Sequence, residues 1–269
     1  MTVDRGLTSW TLPIVPTLVA LVGMVGVLLL ARRSGRRAAV LTGLGLVAWV
    51  LVTTSFLGAY DHTLFWVLAV QDVLLVTVVP IPLVLGLSLR PPVPPALGSV
   101  LAVGTLTGVY VTGWDEARLE HPPLLAATQL LLVGVGCLFL GPLLDEGRGG
   151  FAGRALVAFV DGLLDAVPGL VVLATHGVIA AAWYRTHTPS WAPSASTDQR
   201  LGGTAMIALS ELVGLPALVL LVVRWIRSDS HEAALVDAEL DQASADSSDD
   251  DRPWWERDPG PLSDRDFRS

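Results

Sequence analysis

TLFWVLAVQDVLLVTVVPIPLVLGLSL, residues Thr63–Leu89, runs for 27 positions with a single charged side chain, Asp72. About 20 apolar residues in a helix cross a hydrocarbon core of roughly 30 Å, so this stretch is long enough to span a bilayer. The core of a soluble domain would have divided it into short periodic pieces. Six further runs have the same character: Leu12–Ala31, Ala38–Leu57, Ala96–Thr112, Pro123–Leu144, Phe151–Tyr184 and Leu201–Ile226. The fourth in chain order, Ala96–Thr112, is short for a span, with a re-entrant or tilted segment as the alternative. The first is too long for a signal-peptide core and leads into Ala31-Arg32-Arg33, so it is expected to stay as a helix. The fold class that follows is all-α: a polytopic membrane protein whose seven transmembrane helices form a bundle.

All seventeen basic residues are arginine, and their distribution sets the orientation. Arg32, Arg33, Arg36, Arg37, Arg90, Arg148, Arg154, Arg224 and Arg227 fall in loops on one side, and Arg5, Arg118, Arg185 and Arg200 on the other. The positive-inside rule puts the richer side in the cytoplasm, with the N-terminus outside and the C-terminus inside, in a bacterial-type cytoplasmic membrane. The net charge of −8 is unevenly spread. Residues 229–269 hold thirteen acids against four arginines, whereas residues 1–228 are close to neutral. Two regions result: a transmembrane domain, 1–228, and an acidic, mostly disordered cytoplasmic tail, 229–269. With no basic patch, nucleic acid is not expected as a partner; the lipid bilayer is.

Charges inside the membrane need a partner or a task, because each costs on the order of 3 kcal/mol at a helix centre. At about 1.5 Å per residue, Asp72, Gln129 and Glu211 are expected some 10–15 Å below the outer ends of their helices, with His176 at the same level. Asp72, Gln71, Gln129, His176 and Glu211, with Thr128 beside Gln129, therefore form a candidate polar pocket. Asp161 and Asp165 make a second polar level deeper in the sixth span, one helical turn apart and on the face that carries His176. Such a stripe serves a proton or cation path, or a set of hydrogen bonds that fixes the bundle.

Metal and enzyme chemistry find little support. His62, His121 and His187 each occupy a different outer loop, and with His176 they are the only imidazole candidates for a metal, but their spacing carries no ligand signature. One cysteine, Cys137, excludes an intrachain disulfide or paired-thiol motif. No H-E-x-x-H or nucleophile–base pattern is present, so the chain is read as non-enzymatic.

Three segments carry a resemblance: Phe65–Gly86 (FWVLAVQDVLLVTVVPIPLVLG), Gly113–Leu144 with Trp114, His121-Pro122 and Gly141-Pro142, and Thr197–Ala233 (TDQRLGGTAMIALSELVGLPALVLLVVRWIRSDSHEA). Their order and spacing resemble the multispanning CtaG-type cytochrome c oxidase assembly proteins, over nearly all of residues 38–258. The outer-loop residues Trp114, Asp198 and Gln199 match, as does Glu211. The resemblance implies a role in maturing the copper-containing subunit of a respiratory oxidase, which would be the protein partner, with copper as the implied metal. The chain also departs from the pattern. Where the family has H-x-x-x-Q-H in its third helix, this sequence has Leu68 and Gln71-Asp72; a Glu-His pair of the fifth helix is Thr128-Gln129; a sixth-helix histidine corresponds to Asp165. With those imidazoles replaced, either the pocket favours a harder cation or a proton, or the chain keeps a scaffold role. A proton or cation transporter using the intramembrane carboxylates is the alternative function.

Overall fold

The computed structural model describes residues 14–144, 159–160 and 162–212, with isolated positions beyond. All the elements below belong to the unit Met1–Leu221. Asp161, the first part of the sixth span and the acidic 229–269 segment lie outside the described residues. In chain order the helices are α1 Ile14–Ser34, α2 Arg36–Thr54, α3 Phe56–Tyr60, α4 Phe65–Val76, α5 Pro80–Leu87, α6 Pro95–Val111, α7 Trp114–Glu120, α8 Pro122–Leu144, α9 Val167–Ala174 and α10 Ala181–His187. An eleventh, α11, covers residues 195–212. The described residues are helical or irregular and contain no strand.

Among the described residues four stretches are long and apolar enough to cross a membrane, Pro16–Ser34, Arg36–Tyr60 (α2 with α3), Phe65–Leu87 (α4 with α5) and Pro122–Leu144, or five if α6 and α7, bent by 73° at their junction, count as one span. The sixth expected span contains the shorter apolar helix Gly162–Ala174, and the seventh begins with α11, which runs out of the described residues. α1 and α2 form a tight hairpin across Gly35, whose φ of +91° favours glycine. Leu18, Leu21, Val22, Val25, Leu28 and Leu29 of α1 are exposed, as expected of side chains facing lipid.

The Thr63–Leu89 run is two helices, not one. Pro80 has no N–H to give to the Val76 carbonyl four residues earlier, and the backbone loosens at 77–79 before α5 begins. That unserved carbonyl lies against Gly136 of α8, where even a Cβ would collide with it. Pro142 inside α8 leaves the Leu138 carbonyl unserved in the same way, and that oxygen faces Gly98 of α6, 2.9 Å from where a Cβ would stand. Prolines interrupt the ladder, and glycines of neighbouring helices close over the gaps. The pair Gly134 and Gly136 tests this. Gly134 borders open space while Gly136 does not, so Gly136→Val is expected to destabilise the protein by about 2 kcal/mol more than Gly134→Val. Thermal unfolding in detergent measures the difference, and equal losses would refute the close packing.

Candidate functional site

α4 positions the polar pair Gln71 and Asp72 among Val67, Leu68, Ala69 and Val73, all buried. Asp72 is completely enclosed, and its charge is met from outside the helix. At the C-terminal end of α6, Gly113 adopts φ +76° and turns the chain sharply into α7. That turn carries Arg118 back over α4. Its Nη1 donates to Asp72 Oδ1 at 3.0 Å and its Nη2 to Asp72 Oδ2 at 2.7 Å, a two-pronged pairing that lysine could not make. The same guanidinium reaches Asp115 one turn earlier on α7, through Nε at 2.9 Å and Nη2 at 2.7 Å to Oδ1. Tyr110 of α6 donates its hydroxyl to Asp72 Oδ2 at 2.6 Å, with its ring centroid 5.5 Å from the guanidinium carbon. Asp72, Asp115 and Arg118 are each 0% exposed.

A second layer of bonds ties this cluster to its neighbours. Gln71 Nε2 donates to the Val52 carbonyl of α2, and Gln129 Nε2 of α8 donates to Gln71 Oε1. Trp114 Nε1 donates to Thr128 Oγ1 at 2.8 Å, and Thr128 in turn donates to the Leu124 carbonyl. Five helices, α2, α4, α6, α7 and α8, are thus joined through side chains where lipid supplies no competing donor.

Asp198 and Gln199 do related work at helix ends. α4 has no capping side chain of its own at Leu64; instead Asp198 Oδ2 and Oδ1 accept from the backbone N–H groups of Phe65 and Trp66 at 2.8 and 3.2 Å. A carboxylate there satisfies two orphan donors and complements the helix dipole. Gln199 braces the interruption between α9 and α10: its Nε2 donates to the Val172 and Gly177 carbonyls, and its Oε1 accepts from Ile179 N–H.

Other expected members stand apart. His176 is exposed in the irregular stretch 175–180, because the sixth span stops at Ala174 instead of continuing helically to Tyr184. The polar stripe expected to join Asp165 to His176 is therefore interrupted, and Asp165 itself is half-buried, in a turn just before α9. Glu211 is half-buried on α11. It lies 13 residues beyond Asp198, whereas Asp72 lies 7 beyond Phe65, which puts it about 9 Å further along its helix than Asp72 is along α4. α11 begins at residue 195, earlier than its apolar run. His62, His121 and His187 do not converge on one point. His187 stacks on Trp183 at 3.7 Å and His62 packs at 6.4 Å from the same indole, while His121 is exposed after α7. Among the described residues, no three His, Cys, Asp or Glu side chains gather as a metal ion would require.

Tyr110, Asp115 and Arg118 are missing from the sequence-derived pocket. The available signal was Asp115-x-x-Arg118 just beyond a glycine turn, in a loop next to a span with an uncompensated aspartate. Arg118 was counted only toward orientation.

One titratable group at this end has a consequence for stability. Burial pushes the Asp61 carboxyl up to about 7 from an ordinary 3.8, against the opposing pull of Gln71, the His62 backbone N–H and the Arg118 charge. Its Oδ1 has no hydrogen-bond partner among the described residues, and His62, 3.6 Å away, is itself driven toward its neutral form by burial and by His187. The folded chain then holds a proton that the unfolded chain has released. Stability is expected to fall as pH rises from about 4 to about 7 and to level off above, by up to about 4 kcal/mol from this group. Asp61→Asn, which mimics the protonated acid, should flatten that slope in thermal melts; a slope unchanged from wild type would show that Asp61 is not its source.

The family described as cytochrome c oxidase caa3 assembly factor matches residues 21–228. Uncharacterized proteins of Mycobacterium bovis and of Mycobacterium tuberculosis are each 30% identical to the chain over 96 residues, 36% of its length. The matched stretch covers only 14% of those curated relatives. No solved structure matches the chain.

Proposed function

The chain belongs to the cytochrome c oxidase caa3 assembly factor family, and from that premise we propose that it is a non-enzymatic, seven-span factor of the bacterial cytoplasmic membrane. In this reading its N-terminus is outside, its acidic tail is cytoplasmic, and it acts by holding a subunit of a respiratory oxidase during maturation. The observation that carries the scaffold role is the closure of the Asp72 site. A carboxylate that conducts protons or cations must reach water and exchange partners. Asp72 is enclosed, receives three hydrogen bonds, and is neutralised by an arginine that keeps its proton under all ordinary conditions. The two cavities at the opposite end, where α1, α2 and α5 meet, are lined by neither Asp72 nor Arg118.

The donor set does not fit copper. Asp72 and Gln129, which with Leu68 and Asp165 stand where the resemblance leads one to expect imidazoles, are engaged with neighbouring helices, as are Gln71 and Thr128 beside them. A guanidinium occupies the space beside Asp72, and a fixed cation there repels a second one. Cys137 is a lone thiol on α8. The chain's contribution to a copper-containing subunit is therefore to hold the polypeptide, with no step routed through an ion of its own.

Deleting the protein from its host should lower the haem and copper content of the oxidase, and restoring it should reverse the loss; unchanged oxidase would overturn the assembly role. Within the cluster, Arg118→Leu leaves buried carboxylates uncompensated and should cost about 3–5 kcal/mol, seen as loss of folded protein from the membrane. The triple variant Asp72→Leu/Asp115→Leu/Arg118→Leu, which removes both carboxylates with the guanidinium, should recover much of that loss and support oxidase assembly. If it accumulates to wild-type levels yet yields no oxidase, the cluster does more than hold the fold.

A further inference from the structure

We propose that the end of the bundle where α1 turns into α2 is a binding site for an anionic glycerophospholipid, its phosphate held by Arg36 and Arg37 and its acyl chains lying along α2 and α5. The site is a cavity of about 760 Å³. Its mouth is polar, formed by Ser34, Arg36 and Arg37 on the hairpin and Ser88 at the end of α5, and its wall is apolar, formed by Val40, Leu41 and Leu85. That division of polar mouth and apolar wall suits a molecule with a charged head and hydrocarbon chains.

The charge is one-sided. Arg32, Arg33, Arg36 and Arg37 are all exposed within six residues, and residues 14–60 and 73–114, which contain α1, α2, α5 and α6, include no acidic side chain. The backbone adds to this. Gly35 gives α2 no side-chain cap, so the first N–H groups of a 19-residue helix, those of Arg36, Arg37 and Ala38 on the cavity wall, await an acceptor. Phosphate oxygens satisfy such groups and complement the helix dipole.

Two independent features extend the site into the hydrocarbon. On the other side of the α2–α5 seam is a groove of about 450 Å³ with Arg33 among its lining residues and Gly23, Leu29, Leu46 and Leu83 along it. Thr42, which also lines that groove, has a buried Oγ1 with no hydrogen-bond partner among the described residues, and it abuts Gly86 of the first cavity. Basic cavities between transmembrane helices recognise acidic lipid head groups in this way, each arginine strengthening the attraction.

The test uses the full chain in uncharged detergent, titrated with phosphatidylglycerol, with phosphatidylcholine of the same acyl chains, and with glycerol 3-phosphate, and read by native mass spectrometry. Saturable binding of phosphatidylglycerol is expected, with phosphatidylcholine and glycerol 3-phosphate much weaker. Arg36→Gln/Arg37→Gln should weaken phosphatidylglycerol binding about 30-fold, from roughly 1 kcal/mol per arginine, with an unchanged melting temperature in lipid-free detergent. Arg185→Gln/Arg200→Gln, an equal charge change at the other end, should leave binding as in wild type. Equal binding of both lipids, equal binding by the Arg36/Arg37 variant, or equal losses in both double variants would each overturn the site. Competition by glycerol 3-phosphate at the same concentration as lipid would overturn the lipid assignment in favour of a small anion. Failure of the full chain to retain phosphatidylglycerol at all would overturn the proposal.

Discussion

A guanidinium and a carboxylate sealed away from water hold together the end of this bundle at which α4 begins. Desolvating two such ions costs several kcal/mol each, and only close geometry with further hydrogen bonds offsets that cost. Arg118 and Asp72 meet through two bonds, Tyr110 supplies a third, and Asp115 takes the other edge of the guanidinium. The pair therefore dictates more than its own position. It requires Gly113 to turn the chain after α6, α7 to fold back across the bundle, and α8 to start where Trp114 can reach Thr128. Replacing the whole buried cluster by packed apolar groups is tolerable, but removing one partner alone leaves a buried charge and loosens the re-entry of α7.

The same economy governs the backbone. Lipid offers no hydrogen bonds, so each interruption of a helix must be met by a neighbour. Pro80 and Pro142 free the carbonyls of Val76 and Leu138, and Gly136 and Gly98 allow adjacent helices to close against them. Where the interruption is longer, between α9 and α10, Gln199 substitutes for three missing backbone contacts. Asp198 does the equivalent for the start of α4. Two consecutive residues at the head of α11 thus serve two different helix ends, which gives this Asp-Gln pair a structural task without any ligand.

What could be read from the sequence follows from range. Apolar run length depends on local composition, and the all-helical membrane architecture was visible from it. The burial of Gln71, Asp72 and Gln129 was visible too, since their depth needs only helical rise. The partner of Asp72 was not, because 46 residues separate it from Arg118 and only the turn at Gly113 brings them together. His176 was placed at pocket depth by assuming one helix from Phe151 to Tyr184. The break at 175–180 is held open by Gln199, a residue 22 positions from Gly177, and no local periodicity reports it. Helical rise counted from the apolar run alone leaves out the first turns of α11, which begins before that run does.

These distances bear on why imidazoles are absent where the family resemblance would place them. A histidine at position 72 could not give Arg118 the two acceptor oxygens it uses, and would add a second positive charge beside it when protonated. Conversely, an arginine brought over α4 by α7 excludes a metal ion from the same volume by repulsion. Aspartate at 72 and arginine at 118 are thus one choice, made together, between a pocket closed by an ion pair and a pocket open to a cation. Gln129 extends that choice, because its amide links α8 to Gln71 of α4 without a metal between them. Under the proposed assembly role, a pocket closed in this way leaves this end of the bundle to act as a rigid surface.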